Sequence, residues 1–120
     1  MNREIKFRGW FQGVNGQEYW VYGYLVKQTN GNWEITNGDT SWTVDNVGQF
    51  TGLVDEKGKE IYEGDIFKYS IPDDEVEFIE EVNFNLGSFD LDNAALGAFY
   101  DCGIVIGNIY ENPELISDKN

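Results

Sequence analysis

Asn30-Gly-Asn-Trp-Glu-Ile-Thr-Asn-Gly-Asp-Thr-Ser-Trp-Thr-Val44 is the stretch that decides the fold. It holds two Asn-Gly pairs, Asn30-Gly31 and Asn37-Gly38, set between short runs rich in Trp, Ile, Thr and Val. Such a pair is the favoured centre of a type I′ turn, because both central residues must take positive φ. Tyr19 to Val26, Trp33 to Ile35 and Trp42 to Val44 are therefore predicted as a three-strand antiparallel unit. Upstream, Glu4 to Trp10 alternates with Ile5 and Phe7 two apart, and Gly13 to Gly16 forms a loop. Gly23 interrupts the dense aromatic run and predicts a bulge there.

The pattern continues downstream. Phe50 to Val54 and Ile61 to Tyr69 read as extended, joined by a turn at Asp55-Glu-Lys-Gly58. Gly64-Asp65 bends the chain, with the acid hydrogen-bonding local backbone, and Pro72-Asp-Asp74 closes the strand. Between Glu75 and Phe84 strand and helix compete. A strand places Val76, Phe78, Val82 and Phe84 on one face with only Glu80 out of pattern, and that template wins. Phe89 and Leu91 suggest a short strand, Asp92 to Ala98 a loop or single helical turn, and Ile104 to Tyr110 a β-branched strand. Asn112-Pro113-Glu114 supplies an N-cap, Pro at N1 and an acid in the first turn of a short terminal helix. A disordered tail is expected over 117–120. The fold class is mainly β, with α+β as the alternative: a meander, then a second small sheet or barrel-like sublobe, then the helix. One domain over 1–120 is expected, with sublobes 1–68 and 69–116.

Composition agrees. The 120 residues include fourteen glycines and two prolines, and 16% are aromatic, which suits short strands and tight turns. Twenty-two acids against eight bases give a net charge of −14. From Met1 to Lys68 the balance is −3; from Tyr69 to Asn120 it is −11, with Lys119 the one base. A field of that sign repels nucleic acid and anionic membranes and attracts basic surfaces. It also serves plain solubility. No stretch has membrane-spanning length, and a soluble, cytoplasmic protein is expected.

Histidine is absent, and Cys102 is the lone cysteine. Imidazole bases, Ser-His and Cys-His dyads and a structural zinc cluster within one chain are thereby removed. Asp101 and Gly103 beside Cys102 offer no cationic activation, so a buried or idle thiol is expected. Glu60, Glu63 and Asp65 are close enough in sequence for carboxylate catalysis, but spacing alone is a weak warrant. Asp90-Leu-Asp-Asn93 and Asp73-Asp-Glu75 offer oxygen ligands. Counted from Asp90, however, Ala95 stands where a calcium loop needs glycine, and Asp101 where it needs glutamate. Phosphate-cradling glycine loops are missing. Arg3, Lys6 and Arg8 near Phe7, Trp10 and Phe11 could grip single strands, yet Glu4 sits among them.

Four segments carry a resemblance: Arg3-Glu-Ile-Lys-Phe-Arg-Gly-Trp10, Val44-Asp-Asn-Val-Gly-Gln-Phe-Thr-Gly-Leu53, Gly58-Lys-Glu-Ile-Tyr-Glu-Gly-Asp-Ile66 and Ile106-Gly-Asn-Ile-Tyr-Glu-Asn-Pro-Glu-Leu115. Together they resemble the YopX family of small bacteriophage and prophage proteins. The resemblance implies phage or prophage origin, action inside an infected bacterium and a mainly β fold; it brings no catalytic residues. The expected function is a non-catalytic accessory protein that binds a host or phage protein. Its candidate surface is Asp73, Asp74, Glu75, Glu77, Glu80 and Glu81, acting as a mimic of nucleic-acid charge or guarding an exposed strand edge. No cofactor is expected, and the aromatic excess leaves room for self-association. The competing classes are a nucleic-acid-binding module using the N-terminal bases and a metal-assisted hydrolase using the acids.

Overall fold

The computed structural model describes residues 4–71 and 76–117. It is mainly β, with open antiparallel sheets and two four-residue helices among the described residues. None of those helices is long and apolar enough to cross a membrane. The chain divides into two compact units, Met1–Phe50 and Thr51–Asn120. The first holds five acids and four bases, the second seventeen acids and four bases, so their charges are −1 and −13. The composition shift near Pro72 falls inside the second unit.

The first unit contains β1 (Phe7–Gln12), β2 (Glu18–Lys27), β3 (Trp33–Thr36), β4 (Ser41–Thr43) and the opening of β5 (Asp45–Val54), in the order β4-β3-β2-β1-β5. β2 is long enough to serve two neighbours in turn. Its first part pairs with β1, from Gln12↔Glu18 to Phe7↔Gly23, and its second with β3, from Tyr24↔Thr36 to Lys27↔Trp33. The two-residue side-chain period sends Val21, Ile35 and Val44 into a common core, with Phe7, Phe11, Leu25, Trp42 and Val47 packed around them.

The three-strand unit is present, but its turns are not type I′. The loops span five and four residues, and in each Asn-Gly pair only the glycine has positive φ, 93° at Gly31 and 100° at Gly38. The asparagines cap the loops through their side chains. Asn30 Oδ1 accepts from the Asn32 amide at 3.0 Å, and Asn37 Oδ1 accepts from Asp39 and Thr40 at 2.9 and 2.8 Å. Nor is Gly23 a bulge. It stays in register where β2 changes neighbour, and a Cβ there would collide with the Thr36 carbonyl. The irregularity lies between Arg8 and Trp10 where β1 meets β5.

The second unit continues with the end of β5, then β6 (Glu60–Tyr62), β7 (Asp65–Ser70), β8 (Glu77–Glu81), β9 (Asn83–Asn85), β10 (Ser88–Asp90), α1 (Leu96–Phe99), β11 (Gly103–Asn108) and α2 (Glu114–Ser117). Ser117 closes α2, and the rest of the expected tail lies outside the described residues. β6 lies beside β5, β7 sits between β11 and β8, and β9 and β10 form a hairpin. Ile61, Phe67, Tyr69, Val82, Leu91 and Leu96 make the core. Each such side chain contributes about 1.5–3 kcal/mol when fully buried.

Two of the four sequence signatures meet here. At the Gly64-Asp65 turn, Asp65 Oδ2 accepts from the buried Tyr62 amide at 2.7 Å. Gly64 N–H donates to Val82 at 2.9 Å, and the Gly64 carbonyl accepts from Ile109 at 2.9 Å. In the other signature, Asn108 Oδ1 accepts from Tyr110 and Glu111, and the Asn112 side chain accepts from the Asn108 amide at 3.2 Å. Asn112 is thus turned toward β11. The Tyr110 ring covers Gly64, and a Cβ on Gly107 would come within 2.5 Å of Asn112 Oδ1. Asp55 likewise ties a turn to a strand. Its Oδ1 accepts from Lys57 and Lys59, and its Oδ2 from Val105, all at 2.9 Å.

Gly107→Ala should therefore destabilise the protein by about 2 kcal/mol in urea titration, because Asn112 must move. Gly97→Ala, in α1 with open space around it, should be neutral or stabilise by about 0.5 kcal/mol.

Candidate functional site

β8 is an edge strand of its sheet, and its alternation decides which acids reach the surface. Phe78, Glu80 and Val82 turn inward; Glu77, Ile79 and Glu81 take the other face. Glu77 is exposed, with Lys68 Nζ at 3.5 Å, and Glu81 is half-buried. Asp73, Asp74 and Glu75 lie outside the described residues.

Glu80 is the correction. It is 0% exposed and so cannot belong to a partner surface. It occupies a core position because three donors meet it there. The Tyr69 hydroxyl donates to Oε1 at 2.7 Å, the Asn93 amide donates to the same oxygen at 3.3 Å, and Asn93 Nδ2 donates to Oε2. Tyr69 in turn is stacked on Phe67 and Phe78. Burial, the hydrogen bond to Glu80 and the charges of Glu80 and Asp92 push its phenol far above the ordinary value of 10.0.

Glu81 instead feels two acids from other parts of the unit. Burial raises the Glu81 pKa, and the negative charges of Asp92 and Glu63 raise it further. Three segments converge here: the β6–β7 turn, the end of β8 and the loop after β10. Local spacing could not reveal this, since Glu63 and Asp92 flank different strands. Among the described residues, no group of three or more His, Cys, Asp or Glu side chains is placed to hold a metal ion.

Between Glu81 and Asp92 stands the β9–β10 hairpin. Its two-residue loop is Leu86-Gly87, with φ of 51° and 87°. This is the turn with both residues left-handed that the Asn-Gly pairs were expected to supply. A non-glycine residue in that conformation costs roughly 1 kcal/mol. Leu86 is 98% exposed, so packing offsets none of it. Phe84 and Phe89 face each other across the strands with ring centroids 4.8 Å apart.

The other candidate groups are held by their own surroundings. Asp65 is committed to the Tyr62 amide and Glu60 accepts from the Tyr62 hydroxyl at 3.0 Å. Asp90 accepts from Ser88, Leu91 is in the core, and Asn93 serves Glu80. Those ligand candidates thus point to separate partners. Cys102 is exposed rather than buried, and its thiol donates to Asp101 at 3.5 Å. Desolvation, that bond and the charges of Asp101 and Glu56 raise its pKa, which suppresses the thiolate. In the first unit Arg8 is buried with its guanidinium 4.4 Å from the Trp20 ring centroid. Lys6 lies 5.1 Å over Phe50 and 3.7 Å from Glu4. The bases proposed for single-strand binding are therefore folded into aromatic packing, and Arg3 lies outside the described residues.

The sequence profile of the family described as YopX protein matches residues 6–117. The chain belongs to the YopX family. It is 31% identical over 108 residues to the SPbeta prophage-derived uncharacterized protein YopX of Bacillus subtilis (strain 168), covering 77% of this chain and 81% of that one. In three dimensions it is similar to the crystal structure of protein EF1440 from Enterococcus faecalis, with a TM-score of 0.60 over 97% of this chain and 100% of that chain. The identity there is 24%, and the likeness shows the fold alone. Within the matched residues, the segments Gly58–Ile66 and Ile106–Leu115 interlock around Gly64 and Asn108.

Glu80→Ala should cost about 3 kcal/mol in urea unfolding, because it strands the buried Tyr69 hydroxyl and removes the bonds that tie the Asn93 loop to the core. Glu81→Gln should do the opposite. A carboxyl raised by folding carries no penalty below its ordinary pKa of 4.5, where both states are protonated. The penalty grows as pH rises through that value and is complete above the raised one. The variant should gain about 0.5 kcal/mol at pH 7, with solvent screening keeping it small. Melting curves at pH 7 and below pH 4 check the sign, since the gain should vanish in acid.

Proposed function

We propose that this YopX-family chain is a non-catalytic accessory protein of phage or prophage origin. It acts in the bacterial cytoplasm and binds a basic protein surface through its acidic second unit. The observation that carries this reading is the electrostatic one. Seventeen acids stand against four bases in the unit, and the charges of Asp92 and Glu63 oppose that of Glu81. Lys or Arg groups from a partner would relieve that repulsion and would be drawn in by the long-range field. The SPbeta prophage relative supports the origin.

No specific observation favours the competing classes. Arg8 is buried against Trp20, which disfavours a phosphate-gripping role. The buried carboxylates of Asp55, Asp65 and Glu80 serve backbone amides and neighbouring side chains, which disfavours a hydrolytic one.

An affinity pull-down from bacterial lysate, run at low and at high salt with bound proteins identified, tests the proposal. A defined basic protein should be retained at low salt, released at high salt, and lost from a Glu77→Gln/Glu81→Gln variant. Glu80 is left intact in that variant, because its loss would act on stability. Recovery of nothing specific, or binding indifferent to both salt and the substitutions, would overturn the reading.

A further inference from the structure

We infer that the β9–β10 hairpin is an apolar finger, seating Leu86 and the exposed part of Phe84 in an apolar socket on a basic protein. The inference rests on the proposed binding of a basic surface by the second unit, and it names the contact that would give that binding its specificity.

A single exposed leucine is ordinary on a protein surface. Leu86 is unusual because it is 98% exposed and left-handed at once, with φ of 51°. Asn or Gly would fit that backbone more easily, and the leucine side chain gains nothing from its own fold in exchange. The base of the hairpin is packed against its own unit. Phe89 packs against the core of the unit and meets Phe84 edge to face, while Phe84 remains 50% exposed. Ser88 Oγ donates to Asp90 at 3.1 Å. A tip presented on a packed base has less freedom to lose on docking than one on an unpacked loop, which favours an anchor residue.

The surroundings state the chemistry of the occupant. Glu81 precedes the hairpin, Asp90 and Asp92 end it, and Glu63 adds its charge to that of Asp92 at Glu81. From Tyr69 to Asp118 the sequence contains no Lys or Arg. The tip is apolar and its collar anionic, so the complementary surface is an apolar recess rimmed by Lys or Arg. An anionic lipid surface would be repelled by the collar. The same acidic face of a second copy would be repelled too.

The test uses the full chain and the basic protein captured at low salt, identified and purified for titration. Leu86→Asn suits the left-handed position, so its melting temperature should equal or exceed that of the parent while affinity falls roughly tenfold or more. The salt dependence should be unchanged. A photoreactive benzophenone residue at position 86 should crosslink to the captured protein. If Leu86→Asn binds like the parent while Glu77→Gln/Glu81→Gln weakens binding, the finger is overturned and the acidic reading stands. If no basic protein is captured, both fall. Crosslinking from position 86 only to a second copy of the chain would overturn the heterologous partner.

Discussion

The second unit depends on one tight turn. Gly64 and Asp65 are where β6 ends and β7 begins, and their polar groups reach three other segments at once. The Asp65 carboxylate holds the Tyr62 amide, Val82 is tied to both residues, and Ile109 donates to the Gly64 carbonyl. β8 and β11 are thereby fixed on opposite sides of β7 by hydrogen bonds at a single corner. The buried carboxylate is tolerable because it accepts a hydrogen bond from a buried backbone donor. Tyr110 closes the corner over the glycine, which has no side chain to obstruct it.

Acidity in this unit therefore has two separate meanings. Asp55, Asp65 and Glu80 are interior acids that organise loops and strands through directed hydrogen bonds. Glu63, Glu77, Glu81 and Asp92 are outer acids whose effect is carried by the field. Sequence places Glu77, Glu80 and Glu81 in one dense run, but the period of a strand assigns Glu80 to the core. Net charge is a property of the whole unit; a binding surface belongs only to the residues that the fold leaves outside.

Much of the fold is legible because strand periodicity and turn chemistry are local. The strands around Trp20, Ile35, Phe67 and Val105, the Asp55–Gly58 turn and the Gly64-Asp65 bend all follow from neighbouring residues. The turn geometry was less legible, since an asparagine beside glycine can cap a longer loop through its side chain as readily as it can adopt positive φ. Leu86-Gly87 gave no signal at all, because nothing in a leucine announces a left-handed backbone. The candidate surface was readable in sign and half readable in composition. Glu77 and Glu81 could be named from sequence, while Glu63 and Asp92 come to act on Glu81 only through tertiary structure, and Glu80 leaves because it is buried beneath the Tyr69 hydroxyl and the Asn93 amide that donate to it.

The position of β11 has a consequence for how the chain acquires its structure. In the first unit β1, β2 and β3 each pair with the next strand in sequence, so that meander can form as it leaves the ribosome. β7 must wait. One of its neighbours is β11, the last of the described strands, and the Asp55 carboxylate meets the Val105 amide across 50 residues. Loop closure over that distance precedes any gain from the contact. During synthesis Phe67 and Tyr69 stay uncovered on one edge until Gly103 to Asn108 emerges, and the dense negative charge of the same segment keeps those nascent chains apart in the interval.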